Sequence, residues 1–183
     1  IDVMSEEWDN LILLDATRYD IFTEECGING ELRKVVSRGG NSAEFLKYNF
    51  NSDHHDTVYI TANPHYTDLS NGRFHAIETT IPNVYDPVDP ADKKLVWSPE
   101  TVTEVAAKAK QKYPNKRLII HYMQPHKPYI GETAEDIRQR LIGTQHEVEG
   151  FSDEYSRWVG IPWTAVTEGP ISEQQYVNAY REN

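Results

Sequence analysis

The stretch Asp9-Asn10-Leu11-Ile12-Leu13-Leu14-Asp15 decides the fold class. Four consecutive apolar residues stop at a carboxylate. A run this short is too brief for a core helix and suits a strand buried on both faces, as in a parallel sheet. A helical pattern follows over residues 17–25 and ends at Gly27. The same alternation recurs along the chain. Thr57-Val58-Tyr59-Ile60-Thr61 reads as a strand closed by Asn63-Pro64, and residues 117–123 read as another, whose Leu118-Ile119-Ile120 core runs directly into His121. Residues 32–36 read as a further strand, and 74–79 are another strand candidate. Ser98-Pro99-Glu100-Thr101 is a strong helix start, with a capping serine and proline at the first helical position. That helix runs to Tyr113 and stops at Pro114-Asn115. Further helices are expected from Ser42, with Phe45, Leu46 and Phe50 on the inner face, and over 133–142 and 172–181. Strands alternating with crossover helices imply an α/β fold, a mostly parallel sheet with helices on both faces, in one domain over 1–183. Residues 82–90, rich in Pro and Asp, read as an irregular loop, and 144–171, with Trp, Gly and Pro, as a surface excursion.

Composition narrows the function classes. The 183 residues suffice for a sizeable core, and 38% hydrophobic with 26% charged residues is ordinary for a globular protein. A net charge of -11, with Lys and Arg concentrated on no element, argues against a nucleic-acid surface. Such a balance also matches a salt-adapted surface. Cys26 is the only cysteine, so neither an intrachain disulfide nor a thiolate zinc cluster can form. The longest apolar run, Leu11 to Leu14, is far short of a membrane span, and no signal peptide is visible, so a cytoplasmic protein is the default expectation. The sequence is silent on oligomeric state.

Ligands of such sheets collect at the carboxyl ends of the strands. Asp15 and the segment from His121 to His126 fall at or just after strand ends, which puts them on one rim. Asp15 either caps the next helix or faces a cleft and binds a cation. Ser42 follows Gly39-Gly40-Asn41 and opens a helix. It is either a capping serine or, at an anion-attracting helix N-terminus, a hydroxyl that a metal could activate as a nucleophile. His121-Tyr122-Met123-Gln124-Pro125-His126-Lys127-Pro128-Tyr129 carries two imidazoles that either converge on a metal or a phosphoryl oxygen or are satisfied by backbone carbonyls. Arg18 could meet an anion or form a surface ion pair. His54 and His55 read as an exposed loop. Trp158 and Trp163 belong to a lid, a partner surface or a small satellite core.

Together these segments resemble the alkaline-phosphatase and sulfatase superfamily, and in particular sulfatase-like proteins of the kind found in salt-loving archaea. The run from Trp8 to Asp20 resembles the family's first strand, Ser37 to Leu46 its nucleophile turn, and His121 to Tyr129 the His-x-x-x-x-His-x-Pro-Tyr pattern of phosphoethanolamine transferases. The resemblance implies an alkaline-phosphatase-like fold and metal-dependent hydrolysis or transfer of phosphate esters. Sulfate esters are less favoured, because the Cys-x-Pro-x-Arg signature is lacking. It implies Ser42 as the nucleophile, Asp15, Ser42 and His126 as ligands of a divalent metal (zinc, manganese, calcium or magnesium), and His121, His126, Arg18 and Lys127 as contacts of the substrate. The family's later Asp-His ligand pair does not follow Tyr129, so the domain is expected to be incomplete at its C-terminus. The competing expectation is a non-catalytic binding or structural module that keeps the fold and engages a partner through Trp158, Trp163 and its acidic surface.

Overall fold

The computed structural model describes residues 1–69, 72–81, 97–154 and 156–183, so the loop expected over 82–90 lies outside the described residues. Among the described residues four strands, β1 (Asn10–Asp15), β2 (His54–Thr61), β3 (Phe74–Thr79) and β4 (Arg117–Pro125), form one all-parallel sheet in the order β1-β4-β2-β3. The α-helices among the described residues are α1 (Tyr19–Glu25), α2 (Ser42–Asn49), α3 (Pro99–Lys112), α4 (Glu132–Leu141), α5 (Thr164–Thr167) and α6 (Glu173–Arg181). The chain divides into two compact units. The first holds Ile1–Ala16 and Ile28–Met123, and the second Thr17–Gly27 and Gln124–Asn183.

The first unit is organised by the period-2 alternation of a strand. On one face Val58, Ile60 and Leu118 pack under Val102, Ala106 and Ala109 of α3. On the other face Tyr59 and Ile119 pack with Leu46 of α2, Phe50, Leu69 and Phe74. Helices therefore cover both faces, as the sequence implies. Phe50 is the hub of the second cluster, with edge-on ring contacts to Phe45, Tyr59 and Phe74. Ser98 caps α3 by accepting from the Thr101 N–H, and Pro99 sits at its first position.

Two strand expectations need correction. β1 is an edge strand and is not buried on both faces. Leu11 and Leu13 pack on the α2 side, whereas Ile12 and Leu14 are 58% and 38% exposed, because α3 covers the inner strands and stops short of β1. Residues 32–36 form no strand: without a ladder partner among the described residues they run irregularly, with Val36 82% exposed.

The second unit builds its own core. Ala134, Ile137 and Leu141 of α4 and Ala179 of α6 enclose Tyr129, Phe151, Ile161, Ala165 and Ile171. Residues 144–171 are thus no surface excursion, since they supply four of those core side chains. Trp158 is buried here, while Trp163 is exposed and meets the Tyr176 ring edge-on. At the centre lies the fully buried Arg138, whose guanidinium donates to the carbonyls of Tyr129, Arg157 and Val159 and sits beside Glu135. Burial lowers its pKa to about 10, still far above neutrality, so the side chain is a cation that ties three irregular segments together.

Arg138→Ala should therefore cost this unit on the order of 3 kcal/mol, because it removes the donor of one buried and two part-buried carbonyls. Chemical denaturation would measure the loss. An Arg138→Ala variant as stable as the parent would show that water replaces the guanidinium.

Candidate functional site

The carboxyl ends of the strands assemble the site within the first unit. β2 and β4 pair in the register Thr57↔Arg117 through Thr61↔His121, so the last residue of β2 lies beside His121. Asp15 is the last residue of β1. Asp15, Tyr59, Thr61 and His121 share the parity of Leu13 and Ile119, and so face the α2 side of the sheet. Immediately after Asp15 the chain turns at Ala16, whose φ of 63° is unfavourable for a residue with a side chain. Strain of that kind concentrates at functional sites.

Neither Asp15 nor Ser42 is a helix cap. The N-cap of α1 is Arg18, and that helix starts at Tyr19, later than its sequence pattern suggests. The N-cap of α2 is Asn41, whose Oδ1 accepts from the Glu44 N–H at 2.9 Å. This leaves the Ser42 hydroxyl free to donate to Asp15 Oδ2 at 2.8 Å. The preceding loop passes so close to α2 that a Cβ on Gly39 would lie 2.4 Å from the Phe45 nitrogen, which is why no side chain fits there.

A residue that the sequence reading passed over completes the cluster. The Asn63 Nδ2 group donates to the same Asp15 Oδ2 at 2.8 Å. Its orientation is fixed, since Asn63 Oδ1 accepts from the His65 N–H at 2.9 Å and the Asn63 N–H donates to Thr61 Oγ1 at 2.9 Å. His121 Nε2 lies 3.8 Å from Asp15 Oδ2, and its Nδ1 lies 2.7 Å from the Tyr59 hydroxyl. The Asp15 and His121 side chains are only 10% and 4% exposed. Burial pushes the His121 pKa down, against the raising pull of Asp15, so the imidazole is neutral at physiological pH. Asp15 thus keeps a nearly buried carboxylate oxygen among three neutral polar groups.

The remaining expected site residues belong to the second unit. His126 Nδ1 lies 2.6 Å from the Lys127 carbonyl, which can only accept, so Nδ1 carries the proton and the Nε2 lone pair is left available. Lys127 is exposed. Arg18 is exposed and pairs with Asp20 at 2.6 Å, the surface ion pair that was its plainer reading. His54 and His55 open β2 and form no loop: the His54 ring meets Phe50 edge-on and Phe74 at a tilt, and His55 bonds the Gly72 carbonyl.

A divalent cation fits the Asp15 cluster in part. Among the described residues no lysine or arginine pairs with the carboxylate, and the Ser42 hydroxyl beside it is an oxygen donor that suits a hard ion. Among the described residues, however, no group of three or more His, Cys, Asp or Glu side chains is arranged to hold a metal. The cluster therefore offers a share of a coordination shell. Among the described residues no helix is long and apolar enough to cross a membrane. No protein-family model, characterised protein or solved structure matches the chain.

His121 makes stability depend on pH. Its folded pKa lies below the unfolded value of about 6.5, so the unfolded chain binds the proton first as pH falls. Stability is then full above that value and declines as pH drops below it toward the folded pKa. The half-buried His54, also lowered by burial, acts with the same sign. The melting temperature should fall between pH 7 and pH 5, and His121→Gln should flatten that slope without abolishing it. An unchanged slope would show that His121 stays accessible to protons.

Proposed function

We propose that the chain carries the nucleophile half of a metal-dependent phosphoesterase or phosphotransferase site of the alkaline-phosphatase and sulfatase type. The observation that carries this reading is the 2.8 Å hydrogen bond from the Ser42 hydroxyl, at the start of α2, to the nearly buried Asp15 carboxylate at the end of β1. A serine needs activation to act as a nucleophile, and a carboxylate that accepts its proton orients the oxygen and raises its electron density. The helix N-terminus beside it favours an anionic group such as a phosphoryl.

In this reading Ser42 Oγ attacks phosphorus in line with the departing alcohol. The new Oγ–P bond forms as the ester P–O bond breaks, and the alcohol leaves with a proton. Water, or an acceptor alcohol, then displaces the phosphoryl group from Ser42 and restores the hydroxyl. Asn63 holds Asp15 in place, and His121 lies beside the carboxylate as a hydrogen-bond partner for a phosphoryl oxygen. Asp15 and Ser42 would hold a divalent ion here. Such an ion, when bound, lowers the pKa of the serine hydroxyl and offsets phosphoryl charge. Phosphate esters are favoured over sulfate esters, since the residue at the nucleophile position is a plain serine.

Two sets of variants test the reading with an aryl phosphate ester in the presence of Mg2+, Mn2+ or Zn2+. Ser42→Ala and Asp15→Asn should each lower kcat by about 10³-fold or more while leaving the melting temperature nearly unchanged. Asn63→Ala, which acts through Asp15, should cost roughly 10- to 100-fold. Turnover that survives in Ser42→Ala would rule out the serine mechanism. Phosphate binding without any turnover would point to a binding module on the same fold.

A further inference from the structure

Behind the Asp15 cluster lies a second layer of polar groups that the proposed reaction does not use. Tyr59 is fully buried in the middle of β2, and its hydroxyl lies 2.7 Å from His121 Nδ1. Thr61, two residues along the same strand and also fully buried, accepts the Asn63 N–H at its Oγ1. The phenol can donate to His121 Nδ1 when that nitrogen is the unprotonated one of a neutral imidazole. The far side of the ring decides which nitrogen carries the proton. Nε2 faces the Asp15 carboxylate at 3.8 Å, where an N–H is attracted and a lone pair repelled. Burial holds the phenol in its O–H form, since ionising it there is unfavourable.

We propose that Tyr59 is a positioning residue that holds His121 as its Nε2–H tautomer, so that His121 meets a phosphoryl oxygen as a hydrogen-bond donor and is not a metal ligand. The proposal rests on the phosphoester reading above for the identity of the anion, while the tautomer itself does not. Proton order runs from Tyr59 to His121 Nδ1 and from His121 Nε2 toward Asp15. Hydrogen bonds arranged head to tail strengthen one another in a dry interior. His126 forms the complementary case. Its Nδ1–H is taken by a backbone carbonyl, so its free nitrogen is an acceptor suited to a metal, whereas the free nitrogen of His121 is a donor suited to an anion. The four-residue spacing thus sets apart two imidazoles of opposite polarity.

Long-range ¹H–¹⁵N NMR of the histidine rings reads the tautomer directly, with no need for turnover. In the parent chain the His121 signals should report an unprotonated Nδ1 and a protonated Nε2. A protonated Nδ1 there would overturn the proposal before any variant is made. Tyr59→Phe removes the donor and keeps the ring that packs on Phe50 and Phe74. It should shift His121 toward a mixture of tautomers and weaken inorganic phosphate binding about fivefold, the scale of one hydrogen bond. A Tyr59→Phe chain that folds and keeps the parental tautomer would overturn the assignment. If the tautomer shifts while phosphate leaves the His121 signals of the parent untouched, the positioning role stands and the phosphoester reading fails.

Discussion

The pairing of β2 with β4 is the constraint on which the site depends. Because the two strands run parallel with Thr61 beside His121, the residues of one parity line a single face, and their polar members gather at its carboxyl end. A one-residue slip of β4 would send His121 to the α3 face and bring Ile120 toward Asp15. The apolar alternation on both faces opposes that slip, since Val58, Ile60 and Leu118 are held under α3 while Tyr59 and Ile119 are held against Leu46 and Phe50. Packing far from the chemistry therefore fixes the geometry of the chemistry.

The polar groups at the rim have a common logic. One carboxylate oxygen of Asp15 collects a hydroxyl and an amide, each at 2.8 Å, with an imidazole nearby, and none of the three is a cation. An uncompensated, nearly buried carboxylate is costly unless hydrogen bonds or a cation offset it. Here hydrogen bonds from Ser42 and Asn63 supply part of that stabilisation, and the Asn63 amide is itself fixed by the backbone of His65. The same arrangement that makes the carboxylate tolerable also leaves it suited to a divalent ion.

Much of this was legible in the sequence, and the gaps have physical causes. Asp15, Ser42 and His121 stood out because polar residues at the ends of apolar strands, or after a glycine turn, lack a packing reason to be there. Asn63 was visible only as the close of a strand, since nothing local signals that its amide reaches a residue 48 positions away. Tyr59 is visible in the sequence only as a member of the β2 strand, and its partner emerges only from strand order and register. Nothing in the sequence marks Arg138, which is fully buried because three carbonyls of irregular backbone around it need a donor. The Gly- and Pro-rich stretch 144–171 concealed its core residues, as irregular backbone gives no periodicity to read. The apolar run at β1 signalled an interior strand, and its composition alone does not reveal that α3 leaves Ile12 and Leu14 uncovered.

The central claim is that Ser42 is a nucleophile oriented by Asp15. It is tested most directly by incubating the chain with a slowly turned-over aryl phosphate and a divalent metal, quenching in acid, and locating any phosphoryl adduct by peptide mass spectrometry. The account predicts a phosphoryl group on Ser42 that is absent in the Asp15→Asn chain. Hydrolysis of the ester without an adduct, or an adduct on another residue, would contradict it.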